Sequence, residues 1–443
     1  MTDADRRTLS AKLDSILLYG TFALLMFGPV AFGAVEPWSI FVLEIGSTLL
    51  TLLWLGKQWL DGEINIRWNP LFLPMAAFAL LILAQLIFRR SAYAHDTISQ
   101  ALLYCAYAML CFLSGQTLIR GSQAKKLTFI FIVYGSALAA LALLQGVSSN
   151  GKLFWIRQPR LGGWIYGPYV NHNHYAGLME LLVPIPLVFS LSSMASSRER
   201  GIAGIAAAVM AGTIFLSGSR GGMLAMVVEL LILGTLLIRQ KKGLRIAIGV
   251  GTFLLVLGTL LTWLGGKELT QRVSTISSET RSEISGGMRL SIDHDSLHMF
   301  RIRPILGWGL GTFPVVYPQF RSFYTNFFVN EAHNDYLQLL TEMGLLGFAT
   351  MIWFLVLVYR TALRKIAKWT SDVGSAVTLA CMLGLTGILI HSFIDFNLQI
   401  PANAAIFYVF CTTAAAQPLL LPSRKKRPIQ SATSDLLPTS EVV

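Results

Sequence analysis

Gly265-Gly266-Lys267-Glu268 opens, and Glu331-Ala332-His333-Asn334-Asp335-Tyr336 closes, the one long polar segment in a chain that is otherwise a succession of apolar runs. Between these ends stand Arg272, Arg281, Arg289, Arg301, Arg303 and Arg321. The segment also holds Arg303-Pro304-Ile305-Leu306-Gly307-Trp308-Gly309-Leu310-Gly311, and then many aromatics. A connection of this length is usually a functional loop or a disordered linker, and its Trp, Phe and Tyr content argues against disorder. It reads as the lid and part of the floor of a site, set between helices on either side.

Working outward, the composition fixes what those helices sit in. Of 443 residues, 54% are hydrophobic and 13% charged, with a mean hydropathy of +0.60. Repeated apolar runs of this kind specify an all-α polytopic membrane protein. The runs predict about twelve transmembrane helices, at 15–35, 38–56, 71–88, 98–119, 127–146, 175–194, 201–218, 221–238, 244–264, 336–359, 374–395 and 401–421. The large loop then falls between spans nine and ten. The expected organisation is a single integral membrane domain over 1–421, with 265–335 as an outward active-site loop. The Pro/Ser/Thr-containing tail over 422–443 is expected to be disordered and cytoplasmic.

Lys and Arg set the orientation. With the N-terminus inside, the cytoplasmic segments hold 22 of the 35 basic residues, including Arg120, Lys125 and Lys126, then Arg239 to Arg245, Arg360 to Lys368, and Arg424 to Arg427. The other side holds 13, seven of them in the long loop, which carries little orientation signal. Arg89 and Arg90 are the local exception. Both termini are therefore expected inside and the loop outside. The net charge of +12 reports topology, and nucleic acid is excluded as a partner. Cys105, Cys111, Cys381 and Cys411 all lie in apolar runs without metal-ligand spacing and read as small core residues. Ala31-Phe32-Gly33-Ala34 would suit signal-peptide cleavage, but the apolar run from Trp38 favours an uncleaved first hairpin.

Several polar residues at the outer ends of spans carry chemistry. Arg220 stands in Ser217-Gly218-Ser219-Arg220-Gly221-Gly222, where glycines allow close backbone approach and the guanidinium fork suits phosphate; a snorkelling anchor is the alternative. Arg289 follows Ser285-Gly286-Gly287-Met288 and precedes an amphipathic helix over Leu290–Phe300. In that helix His294 and His298 stand at i, i+4 and with Asp293 or Asp295 could ligate a metal, but such pairs are common on wet helix faces, which is the favoured reading. His172-x-His174 is a similarly weak pair. Arg301 and Arg303 suit either an anionic substrate or solvation of the loop. His333 is a candidate base at the membrane mouth, with Glu331 and Asp335 near in sequence to orient it. Trp308, Phe313, Tyr317, Phe320, Phe323, Tyr324, Phe327 and Phe328 suit sugar stacking or an interfacial belt. Asp395, in His391-Ser392-Phe393-Ile394-Asp395-Phe396-Asn397, is an ionisable group at a span end and so a functional candidate.

Together these residues resemble the O-antigen ligase and polymerase family of bacterial membrane glycosyltransferases. The resemblance rests on the arginine turn Ser217–Gly222, on Arg289 ahead of Arg303-Pro304-Ile305-Leu306-Gly307-Trp308-Gly309, and on His333-Asn334-Asp335-Tyr336-Leu337 with Gly344 beyond. Asn171-His172-Asn173-His174-Tyr175-Ala176-Gly177 adds to it. It covers roughly 165–400. It implies transfer of a glycan from an undecaprenyl-pyrophosphate carrier to an acceptor hydroxyl, at the periplasmic face of the inner membrane, without metal, cofactor or nucleotide sugar. The acceptor would be the lipid A core in a ligase of lipopolysaccharide assembly, or the next repeat unit in a polymerase. It also implies His333, Arg220 and Arg289 as catalytic residues, with Arg303, Glu331, Asn334, Asn171, Asn173 and Asp395 at the substrate. A lipid-glycan flippase would be expected to show internal repeats and charges strung through several spans; here the notable charges gather on one side.

Overall fold

The computed structural model describes residues 2–159, 164–239, 251, 258, 286–326 and 328–420. Among these, nine helical segments are long and apolar enough to cross a membrane. They are α1 (Asp3–Val30), α2 (Pro37–Asp61), α4 (Ala94–Thr117), α5 (Gly121–Val147), the pair α6 (His172–Leu182) and α7 (Pro184–Leu191), α8 (Ser197–Ser217), α9 (Arg220–Arg239), α12 (Asp335–Lys365, extended to Lys368) and α13 (Val373–His391). Two shorter apolar helices, α3 (Phe72–Ile87) and α14 (Pro401–Ala415), complete the set, and α10 (Gly286–Ile302) and α11 (Phe313–Val316) belong to the polar segment. Eleven of the twelve expected spans thus coincide with helices. The expected span 244–264, the start of the loop with Arg272 and Arg281, Phe327 and the tail 422–443 lie outside the described residues.

Chain sequence explains where helices start and pack. Thr2 with Asp5 and Ser196 with Glu199 form capping boxes at α1 and α8, and Asp372 caps α13. Lipid gives apolar surfaces no reason to prefer each other, so helix association relies on close packing of small residues. α8 buries Ala203, Ala207, Ala208, Ala211 and Gly212, and α14 buries Ala402, Ala404, Ala405, Ala414 and Ala415. Leucines such as Leu49, Leu52 and Leu55 on α2 face outward. The centre is α6, buried at every residue, with α13 and α14 packed on it.

Connections pair in two sets. On one side Arg157, after α5, meets Glu36, before α2, and Ala92 N–H donates to Trp308 O at 2.6 Å. On the other, Gly121 N–H reaches Leu420 O at 3.1 Å, Ser193 N–H reaches Thr370 O at 2.7 Å, and Arg67 N–H reaches Gln116 Oε1 at 2.8 Å. Arg89 and Arg90 therefore lie with the polar segment: Arg303 Nη1 donates to Arg90 O at 2.9 Å.

The run Arg303–Gly311 docks on a kink in α12. Gly344 there has φ +64, and a Cβ on it would lie 2.3 Å from Ile305 O. Gly307 has φ +69, and a Cβ would lie 2.4 Å from Glu342 O. Only glycine at both positions lets the two backbones touch. Trp308 N–H then donates to Thr341 O (2.9 Å), Gly309 N–H to Glu342 O (2.9 Å) and Leu345 N–H to Pro304 O (2.8 Å), so the kink's freed carbonyls are satisfied. Ile292, Met299, Phe313, Val316, Tyr317, Val329 and Ala332 form a separate small core over this platform.

Candidate functional site

Asp395 is fully buried in the turn between α13 and α14, and three cationic or basic side chains from distant parts of the chain converge on it. His174 Nε2, from the first turn of α6, lies 3.7 Å from Oδ1. His333 Nδ1 lies 4.0 Å from the same oxygen. Arg289 Nη2, from α10, lies 3.8 Å from Oδ2, while its Nη1 donates to Ile394 O at 2.7 Å. Burial alone would raise the carboxyl's pKa; the His174 imidazole and the charge of Arg289 outweigh it and hold Asp395 well below the usual carboxylate range. Phe396 N–H donates to Oδ1 at 2.8 Å. The Phe396 ring meets both imidazoles edge-on, His174 at 4.6 Å and His333 at 4.7 Å.

His333 is held in a backbone conformation that L side chains seldom adopt, φ +54. Its neighbours impose it. Ala332 N–H donates to Gln338 Oε1 at 3.0 Å, and Asn334 caps α12 by accepting from Tyr336 N–H and Leu337 N–H. Asp335 then ties this start to the Asp395 turn: it accepts from Ser392 Oγ–H (2.7 Å), Leu398 N–H (3.1 Å) and Gln399 Nε2–H (3.0 Å). Strain over-determined in this way is characteristic of functional positions.

The other expected residues divide. Asp335 and Glu331 make their bonds elsewhere: Glu331 pairs with Gln338, and burial, helped by Glu342 and Asp335 against the Gln338 bond, pushes its carboxyl up to about 8. The carboxylate beside His333 is Asp395. Asp293, one turn past Arg289, is raised to about 6 by burial, against the opposing Asn334 hydrogen bond and Arg289 charge. Asn171 caps α6 through Asn173 N–H at 2.8 Å, so its side chain holds the helix that carries His174. Arg303 lies over the Trp308 ring at 4.1 Å and bonds Arg90, not the Asp395 centre. Arg220 is the exposed first residue of α9, on a turn packed against His391.

Among the described residues no three His, Cys, Asp or Glu side chains are grouped to hold a metal. His294 is exposed, and His298 packs edge-on against Phe320. The aromatics split as well: Phe313 and Tyr317 stack inside the loop's own core, whereas Tyr324 and Phe328 stay exposed. Cys111, Cys381 and Cys411 are buried and Cys105 is exposed; all four are free thiols.

The arrangement gives an ionised acid behind an imidazole and a guanidinium, at the ends of apolar helices. Residues 205–352 match the O-antigen ligase family. The match spans Arg220, Arg289 and His333 and leaves His174 and Asp395 outside it. No curated protein matches the chain. The O-antigen ligase match supports a role in glycan transfer during polysaccharide assembly. Two members of the Asp395 centre carry no local signal of their role: His174 is half of an i, i+2 pair by sequence, and Phe396 is an aromatic beside an ionisable residue.

Proposed function

We propose that the chain transfers a glycan from undecaprenyl pyrophosphate to an acceptor hydroxyl at the outer face of the bacterial inner membrane, as an O-antigen ligase acting on the lipid A core. The convergence of His333 and Arg289 on Asp395 carries this reading. In the step proposed, the acceptor oxygen attacks the anomeric carbon, its proton passes to His333, and the anomeric carbon–oxygen bond to phosphate breaks with its electron pair leaving on the pyrophosphate. Asp395, facing Nδ1, orients the ring so that Nε2 takes the proton and stabilises the imidazolium. Arg289 and Arg220 offset the charge that develops on the leaving pyrophosphate, the part a divalent ion would otherwise play, so activity should persist in EDTA. Asn171 and Asn334 hold the backbone that presents His174 and His333, and Arg303, Glu331 and Asn173 are proposed to contact substrate further from the reacting atoms.

Deleting the gene and comparing lipopolysaccharide banding with carrier-linked glycan tests the assignment. Loss of a ligase leaves bare core and polymerised glycan on its carrier. Core bearing a single repeat would instead make the protein a polymerase, and unflipped carrier-linked glycan would make it a transporter.

A further inference from the structure

Beneath the arginine turn lies an ion pair that the proposed chemistry does not use. His391, the last residue of α13, is 1% exposed and Glu180 of α6 is 0% exposed. His391 Nδ1 stands 2.7 Å from Glu180 Oε1, and its Nε2 stands 3.5 Å from Ser219 Oγ. Ser219 caps α9: its Oγ accepts from Gly222 N–H at 3.2 Å. Ser219, His391 and Glu180 thus form one chain of polar contacts that runs from the turn down to α6. Because Ser219 is fully buried, this serine–histidine–carboxylate order does not present a nucleophile to substrate.

Its geometry is instead that of a seat for Arg220. A Cβ on Gly221 would fall 2.3 Å from His391 Cδ2 and 2.5 Å from Nε2, and one on Gly222 would fall 3.1 Å from Glu180 Oε1 and 2.8 Å from Ala176 Cβ. The two glycines after Arg220 thus admit the His391–Glu180 pair flush against the turn. Stability alone is a weak reason for a buried ion pair, since desolvation can outweigh the attraction. Polar and ionisable groups inside a membrane protein more often mark function.

We propose that Glu180 and His391 are positioning residues that fix the Ser219–Gly222 turn, and with it Arg220, for the carrier pyrophosphate. This rests on the reading of Arg220 as a pyrophosphate ligand. The test is a double-mutant cycle on the purified full-length protein, reading the affinity for undecaprenyl pyrophosphate. Arg220→Ala weakens binding, and His391→Ala and Ser219→Ala each weaken it about ten-fold; in the Arg220→Ala background neither lowers it further, giving the coupling expected of residues in contact. Glu180→Ala behaves like His391→Ala, while Glu180→Gln, whose amide oxygen can still accept Nδ1–H, keeps most of the affinity. Losses that add in the Arg220→Ala background would reduce the pair to a packing role and overturn the proposal, as would His391→Ala or Ser219→Ala at full affinity. Ser219→Ala removes one hydroxyl and carries the cycle by itself if His391→Ala fails to fold. Full affinity in Arg220→Ala would instead remove the pyrophosphate reading and this proposal with it; Arg220→Ala weakened with both partners silent would remove the positioning proposal alone.

Discussion

Asp395→Asn keeps the shape of the side chain and an oxygen to accept Phe396 N–H, and removes only the charge that His174, His333 and Arg289 share. At the 3.8 Å separation from Arg289, two unit charges attract by about 4 kcal/mol at an effective dielectric near ~20. Removing one partner of a buried pair typically costs ~3–5 kcal/mol, because the other charge is left uncompensated. Arg289 is a quarter exposed, so water recovers part of this and about 3–4 kcal/mol is the fitting range. If that loss falls on the transition state, where His333 becomes an imidazolium and Arg289 faces the leaving group, the rate drops ~10²–10³-fold. The assay is single-turnover transfer from purified carrier-linked glycan, beside thermal melts that check folding. An Asp395→Asn protein that melts normally and transfers within about three-fold of wild type would show that this charge does not support the transition state.

Other outcomes follow from the same geometry. Arg220→Lys and Arg289→Lys should each lose ~10²–10³ in transfer rate, nearly as much as alanine, since an ammonium cannot make the paired bonds of a guanidinium; near-normal transfer by a lysine variant would mean that diffuse charge suffices. Reporters fused within 286–326 should report the exterior and reporters after Arg424 the cytoplasm, because the basic residues favour the other connections; a cytoplasmic signal from 286–326 would place His333 on the wrong side. Glu331, raised from 4.5 to about 8 by burial, binds its proton more tightly folded than unfolded, so its contribution to stability is full below pH ~4.5 and is lost as pH rises through about 8. Melts of Glu331→Gln should therefore fall less between pH 5 and 9 than those of wild type, and identical slopes would show that Glu331 does not titrate there.

The helices were legible because long apolar runs have few alternatives in water or lipid, and even the α8–α9 reversal was marked by Gly218 and Ser219. At α6–α7 Pro184 divides the one expected span into two helices. The Asp395 centre was legible only in pieces. Its members come from residues 174, 289, 333 and 395, brought together by tertiary packing that no local period encodes. His172 and His174 illustrate the reason: two residues apart on a helix they cannot share a ligand, and the former stacks on Trp164 while the latter reaches Asp395. Arg303 suits either an anionic substrate or the loop by charge alone, and only the fold shows it over Trp308 and bonded to Arg90. Glu180 carries the same sequence signal as Asp395, an ionisable group in an apolar run. Its partner His391 required the fold.

If His333 takes the acceptor's proton while the arginines hold the carrier, the two roles are separable. Purified His333→Ala protein should bind undecaprenyl pyrophosphate within a few-fold of wild type and transfer glycan ~10²–10⁴ times more slowly. Transfer at the wild-type rate, with binding intact, would contradict the account.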